Sequence, residues 1–293
     1  MFTANNYKDF TYWFLRIGTS DTWSVRKVDS NMQVAVLVES DGSAERVQNV
    51  SDAISSEDVS DIITDFSKFI ATRPEYCVGK HIDPDLLSCT SIDADTANRL
   101  VDAYDKLISG AIYIQAEDDT QATAQVSRCI NWLHGTDFYS APASTKYHDS
   151  NPYGLLQHTL RVVDNMVELL QLRAFESSSV SEAIVTALTH DWCKIGLYEE
   201  YYRNVKDDTT NTWHRERAYR CNESKIPFGH GTASMYIASK FFKLSIEQAA
   251  AIRWHMGASS AVQSEVYDYW NSNDIFPLSN LLQFADRLST MKV

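Results

Sequence analysis

The sequence predicts a mainly α protein, in which a helical C-terminal bundle follows a mixed α/β region that contains a small antiparallel sheet. From Leu155 onward, apolar residues recur at helical spacing through most of the chain. Before residue 50, short apolar runs are instead separated by Asp, Asn and Gly residues, a pattern typical of strands and tight turns. We therefore expect two domains, at residues 1–130 and 131–293.

The N-terminal region contains candidate strands and candidate helices. Strands are expected at 23–28, 33–38 and 45–50, with turn residues at 29–31 and 41–42. The aromatic-rich segment 7–17 is expected to form a short helix. Longer helices are expected at about 55–72, 93–110 and 120–133, because apolar residues there recur every three or four positions.

The C-terminal region is expected to be almost entirely helical. Its helices are predicted at about 155–172, 180–192, 231–243, 245–256 and 277–290. A polar stretch at 197–229 separates the second helix from the third. That stretch is long for a structureless connection in a compact domain, so we expect it to be functional or to hold short elements of its own.

The composition argues against several functional classes. A formal net charge of −13 disfavours non-specific binding to duplex nucleic acid, which requires clustered Lys and Arg. The five Cys residues are odd in number and show no Cys-X-X-Cys spacing, so we expect a cytoplasmic protein without a disulfide framework. We find no signal-peptide pattern and no run of ~18 apolar residues, and therefore expect no membrane association.

Six potential metal ligands lie on or beside apolar helical faces in the C-terminal region: His158, His190, Asp191, His230, His255 and Asp286. Taken singly, a His on an apolar face is more often a hydrogen-bonded core residue, and an Asp near a helix end is more often a cap. The whole set is interpreted differently from its single members. Inward-facing carboxylates are rarely buried without a partner, and a helical bundle brings such side chains together. The set therefore favours a metal site.

The order His158, His190-Asp191, Asp286 resembles the HD-domain superfamily of metal-dependent phosphohydrolases. His230, between two Gly residues, and His255, in an Arg-Trp-His-Met-Gly segment, resemble the dinuclear version of that superfamily. The segment 141–160 is similar to the HD domain of bacterial 3′–5′ exoribonucleases. The resemblance covers about residues 136–293 and does not specify a substrate.

The resemblance implies that His158, His190, Asp191 and Asp286 hold one divalent ion. It also implies that Asp191 bridges to a second ion, which His230 and His255 hold. Elementary chemistry agrees with this assignment. A carboxylate has two oxygens and can bind two ions at once, whereas a neutral imidazole has one lone pair and binds one ion. The expected cofactor is one or two divalent transition-metal ions, since mixed nitrogen and oxygen donors suit Mn, Fe, Co, Ni or Zn better than Mg.

Lys194 follows Asp191 at the spacing that the family pattern shows, and we expect it to bind a phosphate oxygen or to orient the attacking water. The alternative is a surface Lys that stabilises a helix C-terminus. His148 is expected to line the site and contact substrate, with a solvated loop His as the alternative.

The stretch 197–229 interleaves basic and aromatic residues, which suit phosphates and bases respectively. We expect it to form a substrate lid in which Arg203 and Lys206 contact substrate, because they lie nearest in sequence to the His190-Asp191 pair. The alternative is a solvated lid, since acidic residues are also frequent there.

The expected function is a metal-dependent phosphohydrolase that cleaves a phosphoester of a nucleotide or related small molecule with a metal-activated water. Asp191 and Lys194 are the expected catalytic residues. Two alternatives stay open, namely an HD-related mixed-valence diiron oxygenase and a non-catalytic module that senses a nucleotide. The expected partner is a small phosphorylated substrate, and the sequence leaves a homo-oligomer open.

Overall fold

The computed structural model describes residues 12–16, 22–27, 33–40, 43–49, 54–72, 82–116, 119–170, 172, 175, 180–222, 228–258 and 263–291. These residues are mainly helical and include two small antiparallel sheets, which confirms the predicted fold class. No helix among them has both the length and the apolar character needed to cross a membrane.

The N-terminal sheet is a four-stranded antiparallel meander in the order β1 Tyr12–Arg16, β2 Thr22–Lys27, β3 Gln33–Ser40 and β4 Ser43–Asn49. Helix α1, Ser56–Thr72, packs against it. The rings of Trp23 and Phe66 meet edge to face there, with centroids 5.3 Å apart. These two residues anchor a small hydrophobic cluster between the sheet and the helix.

The three predicted strands are confirmed, whereas the helix predicted at 7–17 is wrong over the part that the structure describes. Residues 12–16 form β1 and pair with β2. The reason is that aromatic side chains favour an extended, half-buried surface, and β2 supplies the partner strand. The remainder of 7–17 and the predicted turns at 29–31 and 41–42 lie outside the described residues.

Helices α2 Pro84–Ser88, α3 Ala94–Gln115 and α4 Asp119–His134 follow. Asp93 caps α3, and its carboxylate accepts a hydrogen bond from the backbone N–H of Thr96 at 2.8 Å. The helix continues past Gly110, where we expected it to end. A glycine inside a helix costs only about 1 kcal/mol, and burial of Ile108 and Ile112 on either side offsets that cost.

The C-terminal helices, as far as they are described, are α5 Gly154–Leu169, α6 Val180–Thr189, α7 His230–Ala238, α8 Ile246–Trp254, α9 Val266–Ile275 and α10 Pro277–Ser289. The prediction missed α9 because the helix is mostly polar and buries only Tyr269 and Ser272. It also extended α6 too far. That helix ends at Thr189, a turn holds His190 and Asp191, and a single 3₁₀ turn follows at Trp192–Lys194.

The polar stretch 197–229 does hold elements of its own. Strands β5 Tyr198–Asp207 and β6 Thr212–Cys221 form an antiparallel hairpin. Most side chains of the hairpin beyond its base are exposed, so it projects from the helical body.

One large hydrophobic cluster joins helices α2–α4 to the C-terminal helices. It includes Tyr104 and Ile108 of α3, Leu156 of α5 and Leu281 of α10. The predicted domain boundary at residues 130/131 falls within α4, which contributes to this cluster, and the division into two domains stays a prediction.

Candidate metal centre

His190 and His255 are oriented by the same local hydrogen bond. Each residue lies just past the C-terminus of a helix, and its Nδ1–H donates to the carbonyl oxygen three residues earlier, that of Ala187 or Ile252, at 2.7 Å. A carbonyl oxygen only accepts, so Nδ1 carries the proton and Nε2 keeps its lone pair. The same bond satisfies a carbonyl that the end of the helix leaves without a partner.

His158 of α5 and Asp286 of α10 approach from the opposite side of the bundle. His158 Nε2 lies 3.4 Å from His190 Nε2 and 3.3 Å from Asp286 Oδ1. The Ser289 hydroxyl donates to the Asp286 carbonyl at 2.6 Å and lies 3.0 Å from His158 Nδ1. Because the hydroxyl has one hydrogen, it must accept from His158 Nδ1–H, which again leaves the lone pair on Nε2.

The two carboxylate oxygens of Asp191 face different partners. Oδ2 lies 3.3 Å from Nε2 of both His158 and His190. Oδ1 lies 2.9 Å from His230 Nε2 and 3.5 Å from His255 Nε2. Asp191 therefore stands between a His158/His190 side and a His230/His255 side.

The donor set fits a cation. Neutral imidazole Nε2 atoms and carboxylate oxygens are all electron-pair donors, and such atoms repel one another when buried unless a positive charge lies among them. Within the part of the chain that the structure describes, the buried Nε2 of His255 also has no hydrogen-bond partner. Among the described residues, four groups each have ligand atoms within 4.8 Å of one another: His148/Asp149/His158, His158/His190/Asp286, His190/Asp191/His255 and Asp191/Cys193/His230.

Electrostatics keeps both carboxylates ionised. Burial opposes ionisation of Asp191, but Lys194 and His190 outweigh burial and hold the pKa of its carboxyl well below the usual range. Burial likewise opposes ionisation of Asp286, and its contact with His158 lowers its pKa. Two anionic ligands thus lie in a buried site, where they attract a divalent ion strongly.

Lys194 lies in the site rather than on the surface. It is buried, and its Nζ lies 2.6 Å from Asp191 Oδ2. Burial disfavours its charged form, but the Asp191 carboxylate more than compensates and raises the pKa of Lys194. The surface alternative for Lys194 is therefore wrong, and an ammonium ion borders the candidate metal ligands.

His148 also lies at the centre. Its ring is 5.1 Å from that of His158, and its buried Nε2 has no hydrogen-bond partner among the described residues. Burial, followed by the neighbouring His158 and Lys194, lowers the pKa of His148 to about 4, so its imidazole is neutral near pH 7. The residue as a whole is half-buried, and its Nε2 atom points into the interior rather than to the surface.

Several residues that orient the centre were not predicted. The Tyr104 hydroxyl of α3 donates to the Leu188 carbonyl at 2.9 Å and accepts from the Trp192 indole N–H at 3.0 Å. It thereby binds the chain on both sides of His190-Asp191. No sequence signal distinguishes Tyr104 from other core residues, whereas Ser289 lies one helical turn after Asp286 and was in principle recognisable.

Cys193 is a buried thiol, as expected, and burial raises its pKa to about 12. Its backbone N–H donates to Ser234 Oγ at 3.0 Å, which fixes the turn after Asp191 to α7.

Arg203 and Lys206 lie away from these residues. Arg203 pairs with Glu216 across the hairpin at 3.3 Å. Lys206 is exposed near the tip, eight residues beyond Tyr198, or about 26 Å along an extended strand. The structure therefore does not bring these two cations to the candidate metal ligands.

The fold and the site together define a helical bundle with a buried cluster of His and Asp side chains whose atoms suit a metal ion. Residues 155–291 match the family model of the HD domain. This match points to a superfamily of metal-dependent hydrolases. Comparisons with curated proteins and with solved structures give no significant match. The similarity to exoribonucleases stays a prediction.

Proposed function

We propose that this chain is a metal-dependent phosphohydrolase that cleaves a phosphoester of a nucleotide or a related small phosphorylated molecule. The observation that carries the proposal is the position of Asp191. Its two carboxylate oxygens face two different pairs of imidazoles, and the Lys194 ammonium contacts one of these oxygens, Oδ2. This is the arrangement that a bridging carboxylate of a two-ion phosphoester hydrolase requires.

In this proposal His158, His190, Asp191 and Asp286 would hold one divalent transition-metal ion. His230 and His255, together with Asp191, would hold a second. Such a pair of ions lowers the pKa of a water molecule and stabilises negative charge on a phosphoryl oxygen. The Nδ1 hydrogen bonds of His158, His190 and His255 keep the lone pairs of their Nε2 atoms available for this purpose.

Two further residues act on the substrate. The Lys194 ammonium binds a phosphoryl oxygen through a charge-assisted hydrogen bond and stabilises charge that develops on it. His148, neutral near pH 7, offers a hydrogen bond to the substrate from Nε2 without adding charge. The surrounding core excludes bulk water, which strengthens both contacts.

The test is a hydrolysis screen of mono-, di-, tri- and cyclic nucleotides with Mn-, Co-, Ni- and Mg-loaded protein. Elemental analysis of the purified chain accompanies it. Asp191→Asn is the inactive variant, and Asp208→Asn, at an exposed turn of the hairpin, is the matched control. We expect transition metal to bind, phosphate release from at least one nucleotide, and loss of both in Asp191→Asn alone.

Two results would reject the proposal. If the protein contains two irons, cleaves no phosphoester and consumes oxygen with a substrate, it is an oxygenase. If it binds a nucleotide with no turnover under any metal, it is a sensor. The hydrogen bonds that fix the Nδ1–H tautomer of three neutral imidazoles orient their Nε2 lone pairs for metal binding, which hydrolysis requires and nucleotide sensing does not.

A further inference from the structure

The hairpin β5–β6 has two chemically different faces. Side chains alternate along a strand and cross-strand partners share a face, so the pairing register assigns each residue to one side. One side, here called the aromatic face, carries the cations Lys206, Arg215 and Arg217 and the single carboxylate Glu200, a net charge of +2. The other side, here called the paired face, carries two cations and three carboxylates, a net charge of −1.

The cations of the paired face are neutralised within the hairpin. Arg203 pairs with Glu216 at 3.3 Å, and Arg220 pairs with Glu199 at 3.0 Å. These contacts are cross-strand salt bridges that stabilise the ribbon and leave little charge for a ligand.

The cations of the aromatic face are accompanied by exposed rings instead. Arg217 pairs with Glu200 at 3.4 Å, but among the described residues no carboxylate pairs with Lys206 or Arg215. The Arg215 guanidinium lies over the ring of Tyr202, 5.1 Å from its centroid. Trp213, directly opposite Lys206, is 67% exposed, and Tyr202 is 51% exposed.

We infer that the aromatic face binds single-stranded nucleic acid. Lys206 and Arg215 bind phosphates, and the faces of Trp213 and Tyr202 stack on bases, which are accessible in a single strand and hidden in a duplex. The net charge of the chain is −13, so most of its surface repels an anionic polymer. The aromatic face differs because it combines positive charge with exposed aromatic rings.

The length of the face indicates a polymer rather than a mononucleotide. Tyr198 lies at its base, and its hydroxyl donates to the Ala143 carbonyl at 3.1 Å beside Lys194. Lys206 and Trp213 lie about 26 Å further along the strands. At ~3.4 Å per stacked nucleotide the whole face corresponds to about eight nucleotides. The proposed contacts lie between Tyr202 and Lys206, about 13 Å of strand, which corresponds to about four nucleotides. That a bound strand ends at the metal centre rests on the proposed function, whereas binding to the face does not.

The test measures binding alone. The probe is a fluorescein-labelled oligothymidine of about twenty nucleotides, titrated with the full chain in chelator at several salt concentrations and followed by anisotropy. The test variants are Trp213→Ala and the double variant Lys206→Ala/Arg215→Ala. The matched control is Arg203→Ala/Arg220→Ala, which removes the same charge from the opposite face of the same hairpin.

We expect each aromatic-face variant to weaken binding about tenfold or more, because stacked bases and phosphate contacts contribute separately. The double variant is also expected to reduce the slope of log affinity against log salt by about 1.4, since each lost contact on a single strand contributes about 0.7. The control is expected to change affinity less than about twofold.

Three results would overturn the inference: no binding by the unaltered chain at low salt, equal weakening by the control variant, and equal affinity for a duplex or for polyglutamate. The outcome is separable from that of the hydrolysis screen. If the chain binds the oligonucleotide but hydrolyses no phosphoester, the inference about the aromatic face is supported and the proposed function is rejected.

Discussion

The hairpin begins at Tyr198, four residues after Lys194 of the candidate metal centre. The two regions are nevertheless stabilised in opposite ways. In the centre, side chains are mostly buried and oriented by backbone carbonyls and by neighbours from other helices. In the hairpin, side chains are mostly exposed and contact one another across two strands. A single change in the centre therefore leaves a buried charge without a partner, whereas a single change in the hairpin leaves the fold nearly unaffected.

The largest effect is expected from Asp191→Asn. Loss of the carboxylate removes the ligand that both sides share, so we expect neither ion to be retained and hydrolysis to fall by more than about 100-fold. Residues that only support metal ligands already contribute 10- to 100-fold. Elemental analysis and nucleotide assays measure the effect. Full metal content in a folded variant would contradict the assignment.

Replacing one imidazole is expected to remove the metal ion on one side of Asp191 and to leave the ion on the other side. His255→Ala removes a donor next to Oδ1, and about one of two ions should be lost while the ion of His158 and His190 is retained. Metal titration by calorimetry measures the stoichiometry. His214→Ala, in the exposed hairpin, is the control and should retain both ions. Loss of both ions in His255→Ala would indicate a single, undivided site.

The sequence predicted the candidate centre better than the hairpin. Inward-facing His158 and Asp286 were recognisable because helical periodicity places a residue on a face, and the His190-Asp191 pair is a specific motif. The helix end at Thr189 was missed, because the hydrogen bond from His190 to Ala187 that terminates it depends on side-chain geometry. The contacts of Tyr104 depend on an approach between distant segments that no local pattern encodes.

Short elements were expected in the stretch 197–229, but their strand conformation and pairing were not predicted, for a different reason. Neither face of the hairpin is buried in a core beyond its base, so β5 shows no alternation of apolar and polar residues. Charge pairing, rather than hydrophobicity, differs between its two faces. Arg203 and Lys206 were predicted together because they lie nearest in sequence to His190-Asp191, although they lie on opposite faces.

Tyr104→Phe is expected to destabilise the protein by about 1–3 kcal/mol, because the Leu188 carbonyl and the Trp192 N–H then lose their buried partner. Urea unfolding measures the change in the free energy of unfolding. Tyr236→Phe, on the exposed surface of α7, removes the same hydroxyl group and should have almost no effect. Equal stability of the two variants would show that Tyr104 does not orient the centre.

In chelator, the stability of the chain is expected to depend on the charge of Asp286. Burial opposes that charge and His158 favours it, so the folded pKa lies below the unfolded value of 3.8. The stabilisation is therefore present above pH 3.8 and is lost as pH falls through the folded pKa. The advantage of the unaltered chain over Asp286→Asn should shrink below about pH 4 in urea unfolding. A constant difference would contradict the assigned contact.

Arg203→Ala is expected to have the smallest effect. Its ion pair with Glu216 is solvent-exposed, and such pairs contribute about 0–1 kcal/mol. Thermal unfolding and nucleotide hydrolysis should both be close to those of the unaltered chain. A hydrolysis defect comparable to that of Lys194→Ala would show that the hairpin closes over the metal centre during turnover.

The hydrogen bond between Ser289 and His158 joins residues 131 positions apart. Closing so long a segment is slow and entropically costly, so the complete ligand set is expected to form late in folding, after the local helices. Partly folded chains then lack a site with the affinity of the native one, and metal binds mainly to chains that have completed their topology. Added metal should accordingly slow unfolding and have little effect on the earliest folding phase.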